Sequence, residues 1–240
     1  MGKKPENCDP TDPADTQLGE WWDHLAYDPE HRLVVCVEPG ARVAESVEAV
    51  VEDFKRRTGG RPMSLITSDE HRPYKEAILR AYGVEATTTP SGLPVRAPRK
   101  EPPPDLCYAA VHKVRRLGQV VEVVVRLIFG TAALLAAALS ASAVSKAVNV
   151  SFLERQHLTD RHRNARKARK TYRFSKRWEA HEAATYFTLY SYNFCWPVRT
   201  LSTRSQGQPW QKRTPAMAAG LTDHLWSLAE WLRFPAVQRA

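Results

Sequence analysis

Apolar and polar positions along the chain alternate in segments short enough to be told apart. Trp21 to Ala26 and Arg32 to Val37 are rich in aromatic and β-branched residues and are joined by Tyr-Asp-Pro-Glu-His. An Asp-Pro step initiates turns, so two short strands around a turn are predicted. From Ala44 to Arg57, Val47, Val50, Val51 and Phe54 recur at spacings of three and four, the signature of an amphipathic helix, and Gly59-Gly60 supplies its stop. Met63 to Thr67 predicts a buried strand ending on Ser68-Asp69-Glu70, and Tyr74 to Tyr82 a second helix stopped by Gly83.

Residues 86 to 105 contain six prolines and predict an exposed insertion loop, because that composition offers no packed core. Tyr108 to Val114 and Gln119 to Phe129 predict a β-hairpin turning at Arg115-Arg116-Leu117-Gly118. The 19 residues from Leu127 to Ser145 carry no charge, which nominally qualifies them as a membrane span. Seven of them are Ala, however, and Gly130-Thr131 splits the run, so it resolves into the end of a strand and an Ala-rich buried helix at 132 to 146. No membrane association is therefore expected. A basic helix from about Val150 to Trp178 follows, then an aromatic-rich helix from Glu179 to Phe194 closed by Pro197. Near the end, LTDHLWSLAEWLRF predicts a short helix capped by Thr222, with Leu225, Leu228, Ala229 and Leu232 on its apolar face. Strands alternating with helices indicate an α/β domain with a mixed sheet, whose functional groups are expected at strand carboxyl ends.

Composition narrows the function classes. The chain has 240 residues, 43% of them hydrophobic and 25% charged, which is the composition of a globular protein with a real core. Its four cysteines, Cys8, Cys36, Cys107 and Cys195, include no CxxC pair, so neither a zinc site nor a disulfide framework is indicated. A reduced intracellular compartment fits this usage best. The N-terminal stretch has two lysines with no apolar segment behind them, unlike a signal peptide.

The net charge of +9 has an address. Arg155, Arg161, Arg163, Arg166, Lys167, Arg169, Lys170, Arg173, Lys176 and Arg177 face a single acid, Asp160, within that stretch, leaving 25 positives against 25 negatives elsewhere. On a continuous helix Arg155, His162, Arg166, Arg169, Arg173 and Lys176 would share one face. A single-sign stripe suits a phosphate backbone, whereas a merely solvated face interleaves both signs. Two carboxylates stand near candidate chemistry: Asp69 at a strand's carboxyl end and Glu154 at the start of the basic stretch. Either, alone, is compatible with a capping or dipole-stabilising role. Together, beside a phosphate-binding stripe, they suit two-metal phosphoryl transfer, though two carboxylates are one short of a convincing site.

The stretch NVSFLERQHLTDRHRNARKARKTYRFSKRWEAHEAATYFTLYSYNFCWP resembles the Glu-bearing helix and the following helix of insertion-sequence transposases of the DDE superfamily, insertion-sequence-one type. The resemblance is carried by Glu154-Arg155, Arg163 through Arg169, Lys170-Thr171, Phe174-Ser175-Lys176 and Tyr192-Asn193-Phe194. Upstream, ITSDEHRPY resembles the second-aspartate motif, with Asp69 followed by Tyr74, and WWDHLAYDPEHRLVVCVEPGARVAESVEAVVEDF resembles the family's second and third strands and their helix. The likeness spans residues 1–200, and 201–240 is a tail with a short amphipathic helix. It implies an RNase H-like fold with flanking helices, and cutting and joining of DNA ends with Mg2+ held by Asp, Asp and Glu, here Asp69 and Glu154. It also implies transposon-end and target DNA as partners and a cytoplasmic, nucleoid-associated setting, and leaves a homo-oligomer open.

Departures from the pattern shape the expectation. Gly2-Lys3-Lys4 follows Met1 directly, so the strand bearing the family's first catalytic Asp is expected to be missing. His157 stands where Asn is typical and Val198 where many members carry His. The chain is thus expected to be an inactive transposase fragment. The competing expectation is a non-catalytic basic DNA-binding protein or regulator occupying transposon ends.

Overall fold

A computed structural model describes residues 21–88, 94–168 and 172–234, together with Thr11. The protein is mixed α/β with a small mixed sheet and flanking helices, and it divides into two compact units, Gly40–Glu154 and Met1–Pro39 with Arg155–Ala240.

The unit Gly40–Glu154 is built on a three-stranded sheet in which β3 (Ile66–Asp69) runs parallel to β6 (Tyr108–Arg116) and β6 runs antiparallel to β7 (Gln119–Phe129). β6 is central, and its first residues, Tyr108, Ala109, Ala110 and Val111, are all buried, as a strand covered on both faces requires. Helices α1 (Ala44–Arg57) and α2 (Pro73–Tyr82) pack on each other. α1 buries Val47, Val50 and Val51, the stripe its spacing predicts, and α2 buries Ala77, Ile78 and Ala81. Each such valine or isoleucine contributes on the order of 1.5–3 kcal/mol. The β6–β7 turn places Leu117 and Gly118 at φ 49° and 80°, so both central residues of this two-residue turn are left-handed.

Two expectations fail here. The proline-rich stretch is not simply a loop: β4 (Val84–Thr88) and β5 (Pro94–Glu101) pair antiparallel in a separate ribbon, with an irregularity between Ala86 and Thr88. Prolines are tolerated in a two-stranded ribbon because each strand has an edge on which no N–H is needed. The Ala-rich helix, α3 (Ala132–Ala141), is shorter than predicted and buries no residue. Its larger side chains, Leu134, Leu135 and Leu139, are only half-buried and the alanines contribute little apolar area, so no part of the helix reaches the core. Among the described residues, no helix is long and apolar enough to cross a membrane.

In the other unit, β1 (Trp21–Asp28) and β2 (Leu33–Ala41) pair, and the long helix α5 (Trp178–Cys195) is tied to β2 by a buried amide. Asn193 accepts from the Val34 N–H at 3.0 Å and donates to the Val34 carbonyl at 2.8 Å, replacing two ladder bonds at once. Trp21 packs on Trp178 with ring centroids 4.1 Å apart. Two short helices, α6 (Pro215–Ala218) and α7 (Leu228–Arg233), pack on α5, with Phe187 edge-on to Trp231 and Phe194 against Trp226.

The basic stretch is not one helix. α4 (Ser151–Arg163) ends at Arg163, turns follow at 165–167 and 172–173, and α5 begins at Trp178. The side chain of Asn164 bends back to accept from the Arg166 N–H at 3.0 Å, a turn that competes with helix continuation. The tail helix also starts later than predicted. Ser227, not Thr222, caps it, in a capping box with Glu230, while the Thr222 hydroxyl accepts the Trp226 indole N–H at 2.8 Å. Its contacts come through Trp231, whereas Leu225, Leu228 and Leu232 are exposed.

Candidate functional site

Asp69 is the last residue of β3 and lies in register with Val111 of β6. β6 continues beyond it, and Lys113, two residues on, points to the same face. The Lys113 ammonium pairs with the carboxylate of Glu154, in the first turn of α4. Asp69 is thus held beside Val111 by strand register, and Glu154 is held from α4 by Lys113, two residues further along β6. Glu70 turns to the opposite face, where His112 and Arg126 both contact it.

As a metal site this arrangement is poor. Divalent oxygen-seeking cations take six or more oxygen ligands, typically from several carboxylates. Here Glu154 is already neutralised by Lys113, and among the described residues no group of three His, Cys, Asp or Glu side chains could hold an ion. The pair does not fit Mg2+ by itself.

The basic residues are sorted by the turn after α4. Arg155 and Arg161 are exposed on α4, while Arg169 and Lys170 lie outside the described residues. Lys167 turns inwards: its side chain is 7% exposed and its ammonium lies 2.7 Å from Asp160 and 2.9 Å from Asp23. Burial alone would raise the Asp23 carboxyl, but the His181 ring, 3.4 Å away, and the Lys167 ammonium outweigh it and bring it down to about 2. Burial dominates at Asp160 and raises its carboxyl despite Lys167, and it lowers the neighbouring His157. This is an internal ion cluster, and Lys167 is spent on it.

Arg163, Arg166, Arg173, Lys176 and Arg177 instead line one open cleft of about 1000 Å³, where among the described residues no Asp or Glu joins them. The Arg163 guanidinium carbon lies 3.7 Å from the centroid of the Trp196 ring and 5.1 Å from that of Tyr192. Asn164, 6% exposed, also lines the cleft, and its amide nitrogen has no hydrogen-bond partner among the described residues. A buried donor of that kind costs on the order of 1–3 kcal/mol unless an acceptor reaches it. The wall opposite is the start of α5, whose N-terminus carries no side-chain cap. There Ala180, Ala183 and Ala184 keep the helix surface low, and the half-exposed rings of Phe174 and Phe187 flank it. The charged features of the cleft favour an anion: five cations and a helix N-terminus.

The helical stripe expected from periodicity thus becomes a cleft between a turn and a helix start. Asn164 and Lys113 carried no signal of their own in the sequence. The Ala180, Ala183, Ala184, Phe187 spacing of three, four and seven was legible, but it reads equally well as core packing. No protein-family model, no curated protein and no solved structure matches this chain.

Proposed function

We propose that this chain is a protein of the DDE transposase type, with the RNase H-like fold that reading implies, and that the activity its own residues support is binding of DNA through the cleft at the start of α5. The observation that carries the proposal is the cleft itself: Arg163, Arg166, Arg173, Lys176 and Arg177 line it together, and among its described lining residues there is no Asp or Glu. Phosphates neutralised by Lys and Arg release counterions, so such a surface binds DNA with steep salt dependence. The motifs around Glu154, Phe174-Ser175-Lys176 and Tyr192-Asn193-Phe194 support the transposase-type reading, as does Asp69 at a strand's carboxyl end. Strand cleavage and joining are not assigned, because Asp69 and Glu154 do not make up a two-ion site. The protein then acts by occupying DNA ends.

Fluorescence anisotropy with a labelled duplex tests this. The Arg166→Gln, Arg173→Gln, Lys176→Gln triple variant should lower the slope of log K against log salt by roughly three. Asp69→Ala and Glu154→Ala should bind like the parent. An unchanged slope in the triple variant would sink the DNA-binding assignment. Magnesium-dependent strand transfer by the pure 240-residue chain would show that it is an enzyme after all.

A further inference from the structure

We infer that β7 is a self-pairing edge, through which two copies of this chain join their three-stranded sheets into one. β7 is the outer strand of the order β3-β6-β7. One side is hydrogen-bonded to β6 along its length, and among the described residues no other backbone group bonds to the far side. Eleven residues long, it is the extended edge of this sheet, whereas β3 at the other edge has four. Val120, Val121, Val123 and Val125 are 42–55% exposed, and the strand contains no proline. Natural edges of this length are normally blunted by charge, proline or a bulge. The β6–β7 register shifts opposite Val121 and Ile128, but from Glu122 to Leu127 the strand is regular, and its β-branched centre Val123–Val125 is a template for pairing.

The sequence of β7 says what pairs with it. About Val124 the strand is a near-palindrome in chemistry: Val123 mirrors Val125, Glu122 mirrors Arg126, Val121 mirrors Leu127 and Val120 mirrors Ile128. An antiparallel pairing of two β7 strands about a two-fold axis at Val124 sets Val against Val at the centre. It also brings Glu122 opposite Arg126 of the partner copy, twice by symmetry, which is the self-complementarity an isologous interface requires. Glu122 and Arg126 lie two residues either side of Val124 and so share its face of the sheet. Arg126 already contacts Glu70 on that face, and a guanidinium's five donors suffice for a second carboxylate. A nucleic acid is the weaker candidate for this strand, since β7 carries one cation and one anion; the cations of the hairpin, Lys113, Arg115 and Arg116, belong to β6.

Sedimentation over a micromolar dilution series, without nucleic acid, should show a reversible monomer–dimer equilibrium. Glu122→Arg should raise its dissociation constant by about tenfold, as two cross-strand attractions become repulsions. Under mild oxidation Val124→Cys should crosslink to a covalent dimer, whereas Val121→Cys, whose mirror position is Leu127, should crosslink no more than the parent. Circular dichroism confirms that each variant is folded. Three results overturn the inference: a parent that stays monomeric throughout, equal crosslinking at positions 121 and 124, or association that needs DNA and is lost when Arg115 and Arg116 are replaced.

Discussion

Replacing Lys167 with methionine removes the ammonium that bridges Asp23 and Asp160 and leaves both carboxylates inside the protein. At 2.7 and 2.9 Å, and with an effective dielectric constant of about 20, each pairing represents a gross attraction of about 6 kcal/mol, most of it offset by desolvation of the three charges. Breaking a buried pair by deleting one partner typically costs about 3–5 kcal/mol, because the surviving charge stays uncompensated. His181 remains beside Asp23, but Asp160, already raised by burial, loses the Lys167 ion pair and is expected to take up a proton. For a domain of this size, roughly 2–4 °C of melting temperature per kcal/mol gives a fall of about 6–20 °C. Tryptophan fluorescence suits the measurement, since Trp21 and Trp178 pack beside the cluster. The same preparations, assayed below their melting range, should bind duplex DNA within about twofold of the parent, as a buried side chain neutralises no phosphate. A melting temperature within a degree or two of the parent's, with DNA affinity reduced severalfold, would refute this reasoning and return Lys167 to the DNA-binding surface.

Acid should act through the same cluster. Asp23 drops from 3.8 to about 2 on folding, so its stabilisation, about 2 kcal/mol, is fully present above pH 3.8 and is lost as pH falls towards 2. Asp160 is raised and works in the opposite sense, so Asp160→Asn should steepen the loss of stability in acid denaturation and Asp23→Asn flatten it. Asn193→Ala strands both the N–H and the carbonyl of Val34 and should cost roughly 2–4 kcal/mol in urea unfolding, whereas exposed positions on α5 should tolerate alanine. Gly130 sits at φ 95° with space for a Cβ only 2.9 Å from the Leu106 carbonyl oxygen. Gly130→Ala should therefore destabilise by roughly 2 kcal/mol or more, a loss visible as a lower urea midpoint.

What the linear chain determined is what depends on near neighbours. Helix α1 has the bounds its Val47, Val50, Val51 spacing implies, and β7 those of its β-branched run, because each has a periodicity that only one conformation can bury or pair. The same holds for Asp69 at the end of a strand and for the concentration of cations between Arg155 and Arg177. Tertiary structure decided how those cations are used. Nothing local distinguishes Lys167 from Arg166, yet one is buried against Asp23, distant in sequence by more than a hundred residues, and the other lines an open cleft. The expected single helix broke at Asn164, whose side chain satisfies a turn that helix propensity alone does not favour. The Ala-rich segment between Gly130 and Ser145 looked buried by hydropathy, yet none of its residues is fully buried, because burial is conferred by what packs against a surface and not by the surface's own composition. Charge and pattern could therefore point to a polyanion-binding reading, but which basic side chains line the open cleft and which are buried was decided by contacts between segments far apart in the chain.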